Sequence, residues 1–254
     1  MPSIVVIGLN TFRENLRDKI LYNLLFFALL LIGVSVLMGM LTIAEQKKIV
    51  ADMGLAAINL VGVIIAIFVG VGLVSKEIER RTVYTIMARP ISRTQFLLGK
   101  YLGLVLTLLV NVAIMSGVFV ATLWMDQLPV SASLFQAIEL ICVELLLVTA
   151  LALFFSTFSS STLSAIMTLG IYVIGHVTVD LKGIAEKSHN QTLKAVTTGL
   201  YYLCPNLEAL NIKGPAASGT MVALSYQALA SAYGLFYAAL LLTAASLVFQ
   251  RRDF

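Results

Sequence analysis

Polar residues cluster along this chain, and between the clusters the apolar positions form unbroken runs rather than one-sided stripes. Read in windows of about 19 residues, the runs lie near Ile20 to Ile43, Met53 to Ser75, Leu98 to Trp124, Leu134 to Phe155, Leu163 to Val179 and Met221 to Phe249. About 20 apolar residues in a helix cross a hydrocarbon core of roughly 30 Å. The pattern therefore predicts an all-α integral membrane protein with six transmembrane helices, organised as one transmembrane domain over residues 1–254. The first run is too long for the core of a signal peptide, which spans about 7–15 residues, so it reads as a span.

Ahead of that run the pattern changes. Val5, Leu9, Phe12 and Leu16 recur at helical spacing while Asn10, Arg13, Glu14 and Arg17 take other faces, which predicts a helix lying in the membrane interface over residues 1–19. The connections 44–52, 125–133 and the Ser-rich 156–162 are short. The segment 180–220 is longer. In it Leu193, Val196, Leu200 and Leu203 mark an apolar stripe that ends at Pro205 and Asn206, predicting a short amphipathic helix on or in the outer leaflet, where it forms part of a lid.

Composition sharpens this reading. Of 254 residues, 59% are apolar and 12% charged, against roughly 45–50% and about 25% in soluble proteins. The mean hydropathy of +0.97 agrees. Outside the runs no single connection reaches the length of about 50 residues that a separate nucleotide-binding domain needs, so any energy source must come from elsewhere. The net charge of +4 bears on topology and not on nucleic acid. Eleven Lys and Arg lie on the side holding both chain ends and the connection around Arg80, six on the other. The excess of basic residues stays cytoplasmic, which places both termini inside. Cys142 and Cys204 read as free thiols, and no Cys or His has metal-ligand spacing.

Asn59, Asn111, Glu139, Glu144 and His176 fall within predicted spans. A carboxylate near the bilayer centre costs about 2.5–3.5 kcal/mol on insertion scales, so these residues turn inward. Two readings stand: bonds between helices that hold the bundle, or the lining of a substrate path. Glu139 and Glu144 sit about 140° apart around one helix, which does not support a paired-carboxylate hydrolase. His176 and His189 are not spaced as metal ligands.

The connection between the second and third runs is the most informative. Residues 75–100 hold six of the 17 basic residues together with Glu77 and Glu79. Val83, Ile86 and Met87 stand at i, i+3 and i+4, so a short helix presents one apolar stripe beside Glu77, Glu79, Arg80 and Arg81. Arg89-Pro90 ends it, and Ser92 is placed to cap the next helix. Residue types leave two readings open: a basic loop that only sets topology, or an amphipathic helix that docks into a groove of a soluble partner.

The stretch from Lys76-Glu-Ile-Glu-Arg-Arg-Thr through Ala88-Arg-Pro-Ile-Ser-Arg to Leu98-Gly-Lys100 resembles the first cytoplasmic loop of ABC-2 type transporter permeases, although Arg81 stands where many members carry Gly. The likeness extends to the interfacial helix, the six spans, the Ser-rich turn, Pro205-Asn206 in the last outer loop and Arg251-Arg252. It implies an ABC-2 exporter-like bundle in a bacterial inner membrane, working as a homodimer or heterodimer in contact with membrane lipid. It also implies a soluble ATPase subunit docking on residues 76–97, with Glu77, Glu79, Arg80, Arg81, Thr82 and Arg89 as polar contacts and Val83, Ile86 and Met87 as anchor. No Gly-x-x-x-x-Gly-Lys-Ser/Thr occurs, so no cofactor is expected in this chain, and ATP and Mg would belong to the ATPase. The expected cargo is amphiphilic or polymeric. The competing functions are an ion-gradient-driven carrier using Glu144 as a proton relay and a membrane anchor for a larger complex.

Overall fold

The computed structural model describes residues 3–41, 45–79, 92–187 and 191–251, and every regular element among them is helical. Helix α1 spans Ser3–Asn15, α2 Lys19–Met40 and α3 Gln46–Glu79. After residue 91 come α4, Arg93–Met125; α5, Ala132–Ser156; α6, Ser161–Lys187; and α7, Gln191–Leu203. A 3-10 turn at Glu208–Leu210, the short α8 at Lys213–Ala217 and α9 at Leu224–Arg251 complete the chain. Six of these, α2, α3, α4, α5, α6 and α9, are long and apolar enough to cross a membrane.

Helices α3 and α5 form the centre: 72% of each spanning window is buried, against 22% for α2 and α6. Helix α2 packs on α3 and α4, α6 on α3 and α5, and α9 on α5 and α4. Lipid is as apolar as leucine, so such helices associate through close fit rather than hydrophobic transfer. A Cβ added to Gly62 of α3 would lie 2.6 Å from a terminal methyl of Leu145 on α5, so the two helices meet closely here. Both α3, with 34 residues, and α4, with 33, are about 50 Å long. That exceeds a core of roughly 30 Å, so the two helices flanking residues 80–91 extend past the hydrocarbon.

Helix α1 leaves its Val5 and Leu9 stripe exposed, as a helix lying in the membrane interface does. Its buried face is Gly8, Thr11 and Asn15, and that face packs on α4. The segment 180–220 is less of a loop than its polarity suggested. Helix α6 continues through it to Lys187, and Leu207, Leu210, Ile212, Ala216 and Ala217 are buried in the bundle's end.

Candidate functional site

Of the docking residues, Glu77 and Glu79 lie in the last turn of α3 by backbone. Arg80, Arg81, Thr82, Val83, Ile86, Met87 and Arg89 lie outside the described residues. What the structure describes is the rim that carries them. Ser92 opens α4 with a capping box: its hydroxyl accepts from the Gln95 amide, and its own amide donates to the Gln95 side chain. Arg93 Nη1 donates to the carbonyls of Phe249 and Gln250, both at 3.1 Å. A cationic donor thus meets the orphan carbonyls at the end of α9. Thr94 and Ser246 hydroxyls lie 2.8 Å apart, and Phe96 stacks on Phe249.

On its other side the start of α4 is fastened to α1. A Cβ on Gly103 would come within 2.5 Å of the Gly8 carbonyl, and one on Gly99 within 2.7 Å of Ile7 Cβ. Only glycine permits this approach. Lys100 is buried beneath α1, with Nζ 3.7 Å from a Glu14 carboxylate oxygen and 5.8 Å from the Phe96 ring centroid. Asn15 donates to the Thr107 hydroxyl. A shift at the start of α4 must therefore carry α1 and the end of α9 with it.

At the same end of the bundle, a groove of about 710 Å³ lies between α3 and α6 and reaches the junction of α1 and α2. Its walls are apolar, with Leu60, Ile64 and Ile67 on α3 and Ala165 and Leu169 on α6. Its rim is polar: Glu14, Asn15 and Asp18 on one side, Ser161 and Thr162 on the other. A drug-sized ligand needs about 300–1,000 Å³.

Tyr172 lines the groove and ties it to a polar cluster inside the bundle. Its hydroxyl donates to Asn59 Oδ1 at 3.3 Å, and Asn59 Nδ2 donates to Glu144 Oε2 at 2.8 Å. Glu144 is 0% exposed, and its Oε1 lies 3.4 Å from His176 Nε2. Three helices, α3, α5 and α6, meet in this cluster. The other two polar candidates stand apart from it. Asn111 donates to the Thr107 carbonyl of its own helix, and Glu139 receives Gln227 and Ser231 of α9.

The described residues of the α7 stripe are partly open. Val196 is 56% exposed, Leu203 76%, and Leu200 half-buried; the Leu193 side chain lies outside what is described. Its free face suits lipid or another chain. The turn after α7 caps this end of the bundle, and there the Leu207 amide donates to the Gly175 carbonyl at 3.1 Å. A Cβ at Gly175 would sit 2.7 Å from the Pro205 carbonyl. Hydroxyls of Tyr237, Tyr233 and Tyr226, all on α9, hold the backbone at Leu203, Asn206 and Ala209. Cys204 is buried there, and burial pushes its thiol up.

Three features escaped the sequence reading. The Gly99-x-x-x-Gly103 spacing signals a close helix contact and could have located the α1 seam. The run of Leu207, Leu210 and Ile212 could have located the cap. No local pattern pairs His176 with Glu144, because the partners sit on different helices. A family model described as ABC-2 family transporter protein matches residues 12–254. Among curated proteins none matches the chain.

Proposed function

Because the chain belongs to the ABC-2 family of transporter proteins, we propose that it is the permease subunit of an ATP-driven exporter, working as a dimer with a separate soluble ATPase on an amphiphilic substrate. The observation that carries the substrate class is the groove between α3 and α6. An apolar wall with carboxylate, amide and hydroxyl groups at one end matches a molecule with an apolar body and a polar head. A polymer of polar units would leave its hydrogen-bonding groups unmet against that wall.

Coupling is assigned to residues 77–89. The rim of this connection supports that reading, since α3 and α4 extend beyond the hydrocarbon and α4 is clamped to α1 and α9. A push on the connection from a docked ATPase would reach α3, one wall of the groove, directly. ATP and Mg would be held by the ATPase, and the end of the bundle carrying residues 80–91 would be cytoplasmic, in a bacterial inner membrane.

The test is copurification with the cognate ATPase followed by reconstitution. Glu79→Lys combined with Ile86→Asp puts a reversed charge and a carboxylate into the docking surface, and loss of the ATPase is expected. Ala165→Trp fills the groove and should retain the ATPase while abolishing stimulation of hydrolysis by amphiphiles. Wild-type coupling in the first variant refutes the docking assignment; unchanged stimulation in the second refutes the groove.

A further inference from the structure

We propose that Glu144 and His176 form a buried proton-binding site, with one proton held between Glu144 Oε1 and His176 Nε2, and that this proton fastens α6 to α3 and α5. The argument starts from the other ring nitrogen. His176 Nδ1 lies 3.1 Å from the Tyr172 carbonyl, and a carbonyl oxygen only accepts, so Nδ1 carries a hydrogen. A neutral ring then presents a bare lone pair at Nε2, and that lone pair faces Glu144 Oε1 at 3.4 Å. Among the described residues neither Oε1 nor Nε2 has a hydrogen-bond partner. If the carboxyl group were ionised and the ring neutral, two acceptors would face each other inside the bundle, each without a donor. One added proton satisfies both atoms, whether it sits on the carboxyl or on the imidazole.

The remaining atoms of the pair are already engaged. Glu144 Oε2 receives Asn59 Nδ2, and Asn59 Oδ1 receives the Tyr172 hydroxyl, so both Asn59 and Tyr172 orient the acceptor without supplying a titratable proton at neutral pH. The charged groups whose fields reach Glu144 are Lys213 on α8 and Glu208 in the 3-10 turn, of opposite sign. With the proton bound, the Glu144 and His176 pair is neutral overall, the form least costly to hold in a low-dielectric bundle. Without it, a carboxylate meets a lone pair, and α6 loses its polar link to α5, keeping only the Tyr172 hydroxyl on Asn59 of α3. Tyr172 stands between this site and the groove, so occupancy of the site biases the helix that forms one groove wall. The inference does not depend on the substrate or ATPase assignments above.

The chain has two histidines, and His189→Gln leaves His176 as the sole reporter. The full-length chain, labelled with ¹⁵N-histidine in lipid nanodiscs, is examined from about pH 5 to about pH 9, the range in which imidazoles titrate. Ring ¹⁵N shifts report protonation of Nδ1 and Nε2, and the infrared carboxyl C=O stretch, assigned by its loss in Glu144→Gln, reports protonation of Glu144. At neutral pH the expected result is a protonated Nδ1 and one further proton, on Nε2 or on the carboxyl group. Retention of that proton to high pH supports the site as strongly as its release within the range. In Glu144→Gln the amide accepts from Asn59 and donates to Nε2, so His176 should stay neutral with Nδ1 protonated throughout. The proposal is overturned by an unprotonated Nδ1, by a carboxylate beside a neutral ring at neutral pH, by protons on both groups there, or, where the wild-type proton sits on Nε2, by a ring that stays protonated at neutral pH in Glu144→Gln. The wild-type spectra alone decide it should that variant not assemble.

Discussion

Asn59 illustrates how one side chain is fixed from both ends. It accepts from Tyr172 and donates to Glu144, and removing it leaves a fully buried carboxylate oxygen without its donor. Asn59→Ala should cost about 1–3 kcal/mol, the usual penalty for an unsatisfied buried polar group, read as a lower melting temperature in lipid nanodiscs. Asn111→Ala is the contrast: its Nδ2 partner is a carbonyl of its own helix, so a smaller loss is expected. Cys204 offers a second test at this scale. Its thiol is buried and pushed up, and the thiolate is the reactive form. In a Cys142→Ala chain, maleimide at neutral pH should leave Cys204 unmodified until the protein is denatured, which mass spectrometry reads directly.

At the scale of elements, the seam between α1 and α4 has the clearest geometry. An ideal Cβ at Gly8 lies 3.6 Å from Leu102 Cβ, within the roughly 3.5–4.5 Å that a disulfide spans. Gly8→Cys with Leu102→Cys, in a chain lacking Cys142 and Cys204, should cross-link on mild oxidation. Adding Gly103→Leu drives a side chain into the Gly8 carbonyl and Thr11 and should lower the cross-linked fraction at least several-fold. A full yield in that variant would mean that α1 does not need the glycine seam. The start of this helix pair was legible only in part. Ser92 was placed as a cap from sequence and does cap α4, because capping is local chemistry. The buried face of α1 was not legible, because Gly8, Thr11 and Asn15 carry little hydrophobicity and bury through fit.

At the scale of the whole molecule, the count of eleven basic residues against six predicts that both termini and position 80 face the cytoplasm. An impermeant thiol reagent applied to intact cells should fail to label Arg80→Cys in a chain without Cys142 and Cys204, and should label it after the cells are opened. Labelling from outside would invert the topology. The sequence by itself determined the number of spans, the all-helical class and the family, because insertion into a bilayer depends on run length and apolar content, which are additive along the chain. It also named Asn59 and Glu144 as inward residues, since a polar group in hydrocarbon must find company. Which company was decided only by tertiary structure. Glu144 meets Asn59 and His176 through the crossing of α3, α5 and α6, Glu139 meets α9 instead, and Leu207, Leu210 and Ile212 are buried at the bundle's end. Between helices surrounded by lipid, apolar faces are energetically alike. Partner choice then rests on steric fit and a few hydrogen bonds between residues far apart in the chain, and no local pattern encodes those.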